Sequence, residues 1–252
     1  MLKKRIIPLQ LLLNGRLVKT VRFGEYRDVG DPVQSSKVYS DQDADELVFL
    51  NIDRAQRSID SLVVLLDRVA EACFMPLALG GGIRTVADAE WLIRSGADKV
   101  VINSAAYREP ELLSRISARF GRQAVIASID VRRSAERYDL YSDCGRVLES
   151  VSLEAHIAAV VAHGAGEILI NSIDRDGTMQ GYDIELIRLV TERVAVPVIA
   201  CGGAGNYDHM KDAFILTKVS ALACGSLFNF GDNNPIRAKA FLTNYQIPFK
   251  VI

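Results

Sequence analysis

Histidine and cysteine are scarce in this sequence, and neither is arranged for metal or redox work. The three histidines, His156, His163 and His209, form no ligand cluster, and Cys73, Cys144, Cys201 and Cys224 lie far apart without a CxxC pair. That spacing argues against a zinc site and against a disulfide framework. No charge sign dominates either: 30 Lys and Arg stand against 31 Asp and Glu. A balanced chain has no general electrostatic drive toward nucleic acid or an anionic membrane. No apolar run approaches the roughly 18 residues that a membrane span needs. The opening Met1-Leu2-Lys3-Lys4-Arg5 and the apolar run to Leu13 mimic a secretory signal. Pro8 and Gln10 interrupt that run and no small-residue cleavage site follows, so it reads as a first strand. The expectation is a cytoplasmic protein with no nucleic-acid or membrane partner, no metal and no cofactor.

What is present is an ordinary globular composition, 49% hydrophobic and 24% charged over 252 residues, enough to bury a sizeable core. Eight short apolar runs read as strands: Arg5 to Leu13, Leu47 to Ile52, Pro76 to Leu79, Lys99 to Asn103, Ala124 to Asp130, Glu167 to Asn171, Val196 to Cys201 and Ala221 to Cys224. Amphipathic stretches lie between them, at Asp60 to Cys73, Thr85 to Ser95, Pro110 to Phe120, Leu153 to His163, Asp183 to Arg193 and Tyr207 to Phe214. This alternation predicts an α/β fold, a single (β/α)8 TIM barrel occupying 1–252 as one domain. A doubly wound open sheet is the alternative, but it leaves an internal repeat unexplained. A shift of 121 residues brings Glu46 onto Glu167, Asn51-Ile52-Asp53-Arg54 onto Ser172-Ile173-Asp174-Arg175, and Gly81-Gly82 onto Gly202-Gly203. The barrel is therefore expected to have two-fold half-barrel pseudo-symmetry.

Chemistry in such barrels sits where strands end and βα loops begin. Gly80-Gly81-Gly82, Gly202-Gly203 and Gly225-Ser226 fall there. One glycine run alone marks a tight turn, but three at symmetric strand ends point to two phosphate sites, at opposite sides of the mouth. Asp130 closes the fifth strand as a candidate general acid or base, a salt bridge to Arg132 or Arg133 being the plainer reading. The run Asn171 to Thr178, with Asp176 and Gly177, reads as a substrate loop. The segment Asn14 to Asp31, carrying Lys19, Arg22, Phe23 and Arg27, reads as a long loop suited to a lid over an anionic ligand. At the other end, Arg5, Glu46, Lys99 and Glu167 stand at or just before strand starts, either as a stabilising bottom layer or as a gate closed by ion pairs.

Together these residues resemble the HisF family, the cyclase subunit of imidazole glycerol phosphate synthase. The segments that carry the resemblance are Lys-Arg-Ile-Ile at 4–7, Gly-Asp-Pro-Val at 30–33, Asp-Glu-Leu-Val-Phe-Leu at 45–50, Gly-Gly-Gly-Ile at 80–83, Gly-Ala-Asp-Lys-Val at 96–100, Gly-Ala-Gly-Glu-Ile-Leu at 164–169, Ser-Ile-Asp-Arg-Asp-Gly-Thr at 172–178 and Gly-Gly-Ala-Gly at 202–205. The resemblance implies a heterodimer with a HisH-like glutaminase docked on the bottom face at Asp98. Ammonia then enters through the ring of Arg5, Glu46, Lys99 and Glu167 and climbs to the mouth. It also implies a phosphorylated small-molecule substrate held by Lys19, Gly82, Asn103, Ser104, Asn171, Asp176, Gly177, Gly203, Gly225 and Ser226.

The family uses two aspartates at its mouth, and only Asp130 is present. Leu11 stands where the first is expected, and Gln10 points to the opposite face of the strand. Asn51 and Thr20 depart from the family's common aspartate and glycine. Lys19-Thr20-Val21, Phe74-Met75-Pro76-Leu77, Asn171 to Met179, Ala200-Cys201-Gly202-Gly203 and Gly225-Ser226-Leu227-Phe228 are more similar to HisF-like paralogues of surface-polysaccharide genes. There, ammonia is thought to serve amidation of an N-acetyl sugar by a third protein, a sugar amidotransferase. That is the preferred expectation, and a genuine HisF lyase/cyclase of histidine biosynthesis is the alternative. A pure scaffold conflicts with the retained glycine loops, and a HisA-type isomerase leaves the charged ring unexplained.

Overall fold

The computed structural model describes residues 3–55, 58–70, 73–135 and 137–250. Twelve strands appear among them: β1 (Arg5–Leu13), β2 (Arg16–Thr20), β3 (Tyr26–Gly30), β4 (Leu47–Asn51), β5 (Leu77–Gly80), β6 (Lys99–Ile102), β7 (Val125–Ser134), β8 (Arg137–Ser142), β9 (Val147–Leu148), β10 (Glu167–Ser172), β11 (Val198–Cys201) and β12 (Ala221–Cys224). The helices are α1 (Pro32–Asp41), α2 (Asp60–Val69), α3 (Val86–Arg94), α4 (Ser104–Arg108), α5 (Glu111–Phe120), α6 (Leu153–Ala162), α7 (Ile184–Thr191), α8 (Tyr207–Leu216), α9 (Ser226–Asn229) and α10 (Pro235–Thr243). Strands β1, β4, β5, β6, β7, β10, β11 and β12 pair in that order, all parallel, and β12 returns to β1. The fold is a single closed (β/α)8 barrel.

Each barrel strand is buried on both faces, which is why the strands read as nearly unbroken apolar runs. Ile7, Val48, Ala78, Val101, Ile126, Leu169, Ile199 and Ala221 point inward and pack together in the bore. Their neighbours Ile6, Leu47, Phe49, Leu79 and Ile102 point outward, against Leu62, Leu66, Leu92 and Ile116 of the surrounding helices. Gln10 follows the same alternation: it is buried outside the bore, and its Nε2 donates to the Tyr39 hydroxyl on α1 at 3.2 Å. Side-chain caps start the helices where the sequence offers them. Thr85 and Asp88 form a reciprocal capping box on α3, and Ser152, Asp183 and Asn206 cap α6, α7 and α8. The expected helix from Asp60 ends at Val69, and positions 71–72 of that expectation lie outside the described residues.

Two excursions differ from the sequence expectation. Asn14 to Asp31 is not a loop: β2 and β3 form an antiparallel ribbon that extends β1 past the barrel rim. The fifth barrel strand runs on to Ser134 because β8 folds back along it, with β9 beyond. Among the described residues no helix is long and apolar enough to cross a membrane.

Candidate functional site

The C-terminal ends of the barrel strands surround a cavity of about 550 Å³. Lys19, Gly82, Asn103, Ser104, Asp130, Asn171, Asp176, Gly177, Gly203, Gly225 and Ser226 all line it, and so does Leu11. Asp130 projects from β7 beside Asn171, its register partner on β10. Asn103 Nδ2 donates to Asp130 Oδ2 at 2.8 Å, and Asn171 Nδ2 donates to Oδ1 at 3.3 Å. The plainer reading of Asp130 fails, because Arg132 faces Asp174 and Arg133 pairs with Glu185. Burial pushes the Asp130 carboxyl up to about 7. The charge of Asp176 adds to the rise, and the two asparagine N–H groups oppose it. A carboxyl half ionised near neutrality is suited to take and return a proton.

Lys19 is buried on β2, and its Nζ donates to the Leu9 carbonyl at 3.1 Å. Burial lowers its pKa while the nearby Asp176 pulls the other way. Asp176 in turn accepts from the Thr20 hydroxyl at 2.9 Å. Gly225 carries no side chain because Lys19 Nζ fills the place a Cβ would take. At Gly177, with φ of 69°, the Thr20 carbonyl fills that place, so the loop after β10 packs backbone to backbone on β2. Helices α4 and α9 start in equivalent positions after β6 and β12. Neither Asn103 nor Gly225 caps its helix with a side chain, so no side chain competes for the first N–H groups.

Arg22 and Arg27 do not reach the cavity, and Arg22 Nε instead donates to the Asp174 carbonyl at 3.2 Å. Besides Lys19, the cationic lining comes from residues that the sequence reading did not place at the site: Arg54, Arg84, Arg108 and Arg146. Arg54 pairs with Asp143 at 2.5 Å, and the Asp143 N–H donates to Ser104 Oγ at 3.1 Å. Asp143 and Arg146 belong to the β8–β9 turn. Its sequence signal was the alternation of Tyr138 and Leu140 before Asp143-Cys144-Gly145. Phe23, in the β2–β3 turn, reaches over the mouth to Gly145 of that second turn.

At the opposite end the four charged residues form a closed ring. Arg5 bonds Glu46 at 2.8 Å and also pairs with Glu167, while Lys99 Nζ bonds Glu46 at 2.7 Å and Glu167 at 2.6 Å. Burial alone would raise the Glu167 carboxyl, but the hydrogen bond and charge of Arg5, with the charge of Lys99, hold it below the usual range. Asp98 is exposed beside this ring and accepts the Leu77 N–H at 2.8 Å. Among the described residues no group of three or more His, Cys, Asp or Glu side chains is placed to hold a metal ion.

A sequence profile described as "Histidine biosynthesis protein" matches residues 5–234. The chain is 43% identical over 255 residues to imidazole glycerol phosphate synthase subunit HisF of Trichormus variabilis, covering 100% of this chain and 99% of that one. It is 42% identical to the HisF subunits of a Nostoc species and of Hyphomonas neptunium, again over 100% of this chain, with 98% and 100% of those chains covered. With the match running through both the mouth and the charged ring, the chain belongs to the histidine biosynthesis protein family as a HisF-type member.

Proposed function

We propose that the chain is the barrel subunit of an imidazole glycerol phosphate synthase-type complex, joining ammonia from a HisH-type glutaminase to a phosphorylated ligand at its mouth. Asp130 carries this reading: it is a buried carboxyl near neutral pKa, placed by two asparagines on the cavity side of the bore. The glutaminase docks at the bottom face around Asp98 and the ring. The bore above the ring is lined by apolar side chains such as Ile7, Val48, Ala78 and Leu169. Such a lining admits neutral ammonia and resists hydrated ions, whose desolvation is costly. At the mouth one phosphate binds near Gly82 and Ser104, with Arg84, Arg108 and Arg146 around it. A second binds near Gly177, Gly203, Gly225 and Ser226, with Lys19 beside it. Asp130 moves the proton that accompanies nitrogen attack and ring closure.

The relatives' names support histidine biosynthesis as the pathway. One observation favours a second reading: Leu11 lines the mouth where a second proton-transfer carboxylate is expected, and leucine transfers no proton. In that reading ammonia is delivered for amidation of an N-acetyl sugar by a further protein, and the barrel is a weak cyclase. Complementation of a histidine auxotroph lacking its cyclase subunit, with a compatible glutaminase or ample ammonia, separates the two. Vigorous growth from the unmodified gene establishes the histidine role, and absence of growth despite good expression removes it.

A further inference from the structure

The cavity wall is divided by chemistry. Strand β1 lies four strands from β7 in either direction around the eight-stranded ring, so Leu11 and Asp130 face each other across the mouth. On the β7 side the wall is polar, with Asp130 between Asn103 and Asn171. On the β1 side four leucines, Leu9, Leu11, Leu13 and Leu50, line the cavity, with Lys19 and Thr20 of β2 flanking them. Leu11 is paired in register with Leu50, and both pack onto buried Leu9 while remaining only partly covered. Leu13 continues the surface outward, and Phe23, also partly covered, extends it over the opening. Its ring lies against Gly145 of the facing turn, which holds this roof in place. Large aliphatic side chains left part-exposed inside a concave mouth gain most from a ligand that covers them.

We propose that the ligand of this mouth is an organic phosphate bearing a short apolar substituent, alkyl or acyl, that rests on Leu9, Leu11 and Leu50 while its polar edge faces Asp130. The assignment rests on the phosphate-binding reading given above and narrows it. It makes Leu11 a specificity-determining residue as well as the site of a missing carboxylate. A hydroxyl set directly against these leucine side chains loses water without gaining a partner from them, which opposes binding.

The test uses the full chain and isothermal titration calorimetry with three probes: inorganic phosphate, glycerol 3-phosphate and n-propyl phosphate. The last two share a carbon skeleton and differ by two hydroxyls. Covering apolar surface is worth about fourfold in affinity per methylene, so n-propyl phosphate is expected to bind at least about tenfold more tightly than glycerol 3-phosphate. Leu11→Asp is expected to abolish that preference. If the unmodified chain binds inorganic phosphate but favours glycerol 3-phosphate, or does not discriminate, the apolar assignment is overturned and the phosphate reading stands. If inorganic phosphate does not bind at millimolar concentration, both are overturned. The comparison of probes on the unmodified chain decides the matter even if the variant folds poorly.

Discussion

Arg5 and Lys99 hold the same two carboxylates: each cation bridges Glu46 and Glu167 at the base of the barrel. The closed ring leaves one group badly served. Glu46 Oε2 takes both cations, while its buried Oε1 has no partner among the described residues. A buried acceptor in that state costs about 1–3 kcal/mol. Releasing Lys99 therefore disturbs an arrangement that is already imperfect, a property suited to a gate.

Replacing Lys99 tests this directly. Breaking a buried ion pair costs about 3–5 kcal/mol, but Arg5 still serves both acids, so Lys99→Ala is expected to lower stability by about 2 kcal/mol in urea denaturation. Glu167 is held below its usual range, so its contribution is present above the unfolded glutamate value and lost as pH falls through the depressed one. The variant should accordingly lose less stability than the unmodified chain between about pH 6 and pH 3. In the glutaminase complex it should change the ratio of product formed to glutamine hydrolysed, with the barrel still folded.

Asp130 gives the opposite sign. Its folded pKa, about 7, lies above the unfolded value, so the native state is penalised as pH rises through the interval between them. Asp130→Asn removes a charge that is costly to bury, and the unpartnered Oδ1 atoms of Asn103 and Asn171 can accept its new N–H groups after an amide flip. The variant is expected to be more stable at pH 8 by about 2 kcal/mol, with the difference gone by about pH 4. Its turnover should fall by about 100- to 10,000-fold. Equal stability of the two proteins at pH 8 would show that Asp130 titrates as an ordinary carboxyl.

The barrel was legible because its strands are buried on both faces: Leu47 to Asn51 and Ala221 to Cys224 have no other structure that hides so much apolar surface. Strands β3 and β9 were not legible. Both stand out from the rim, and Tyr26, Val147 and Leu148 are exposed, so apolar alternation is lost there. Residues at strand ends, such as Asp130 and Gly225, could be placed in the site from chain order alone. Arg54 and Arg146 reach the same cavity from a loop and a turn, and Arg108 from the last residue of α4, and no spacing rule carries that information.

Gly225 offers a test of the Lys19 seat. Its φ of −112° lies outside the left-handed region, so Gly225→Ala acts mainly by displacing the Lys19 ammonium, with a tighter contact of 3.2 Å to the Leu9 carbonyl beside it. Moving a buried lysine out of its seat is expected to weaken inorganic phosphate binding by about tenfold and to cost about 1–3 kcal/mol of stability. Calorimetry and urea unfolding on the same preparation measure both. Unchanged phosphate affinity would remove Lys19 from the second phosphate site.

Leu11 bears on the chemistry itself. Loss of one positioned acid or base costs about 3–5 kcal/mol of transition-state stabilisation, so the unmodified chain should turn over the histidine-pathway substrate slowly with saturating ammonia. Leu11→Asp places a second carboxylate across the mouth from Asp130 and should raise kcat by about 10- to 100-fold. The gain stops short of the full deficit because Asn51, which commonly is an aspartate in the family, donates to Ser61 Oγ at 3.0 Å and accepts from the Asp53 N–H at 3.0 Å. The new charge also faces Asp130, and like charges disfavour ionisation. The acidic limb of the pH–rate profile should therefore move upward in the variant from a value near 7. A kcat that rises without any movement of that limb would show that the two carboxylates do not sense each other, and that position 11 acts by shape rather than by proton transfer.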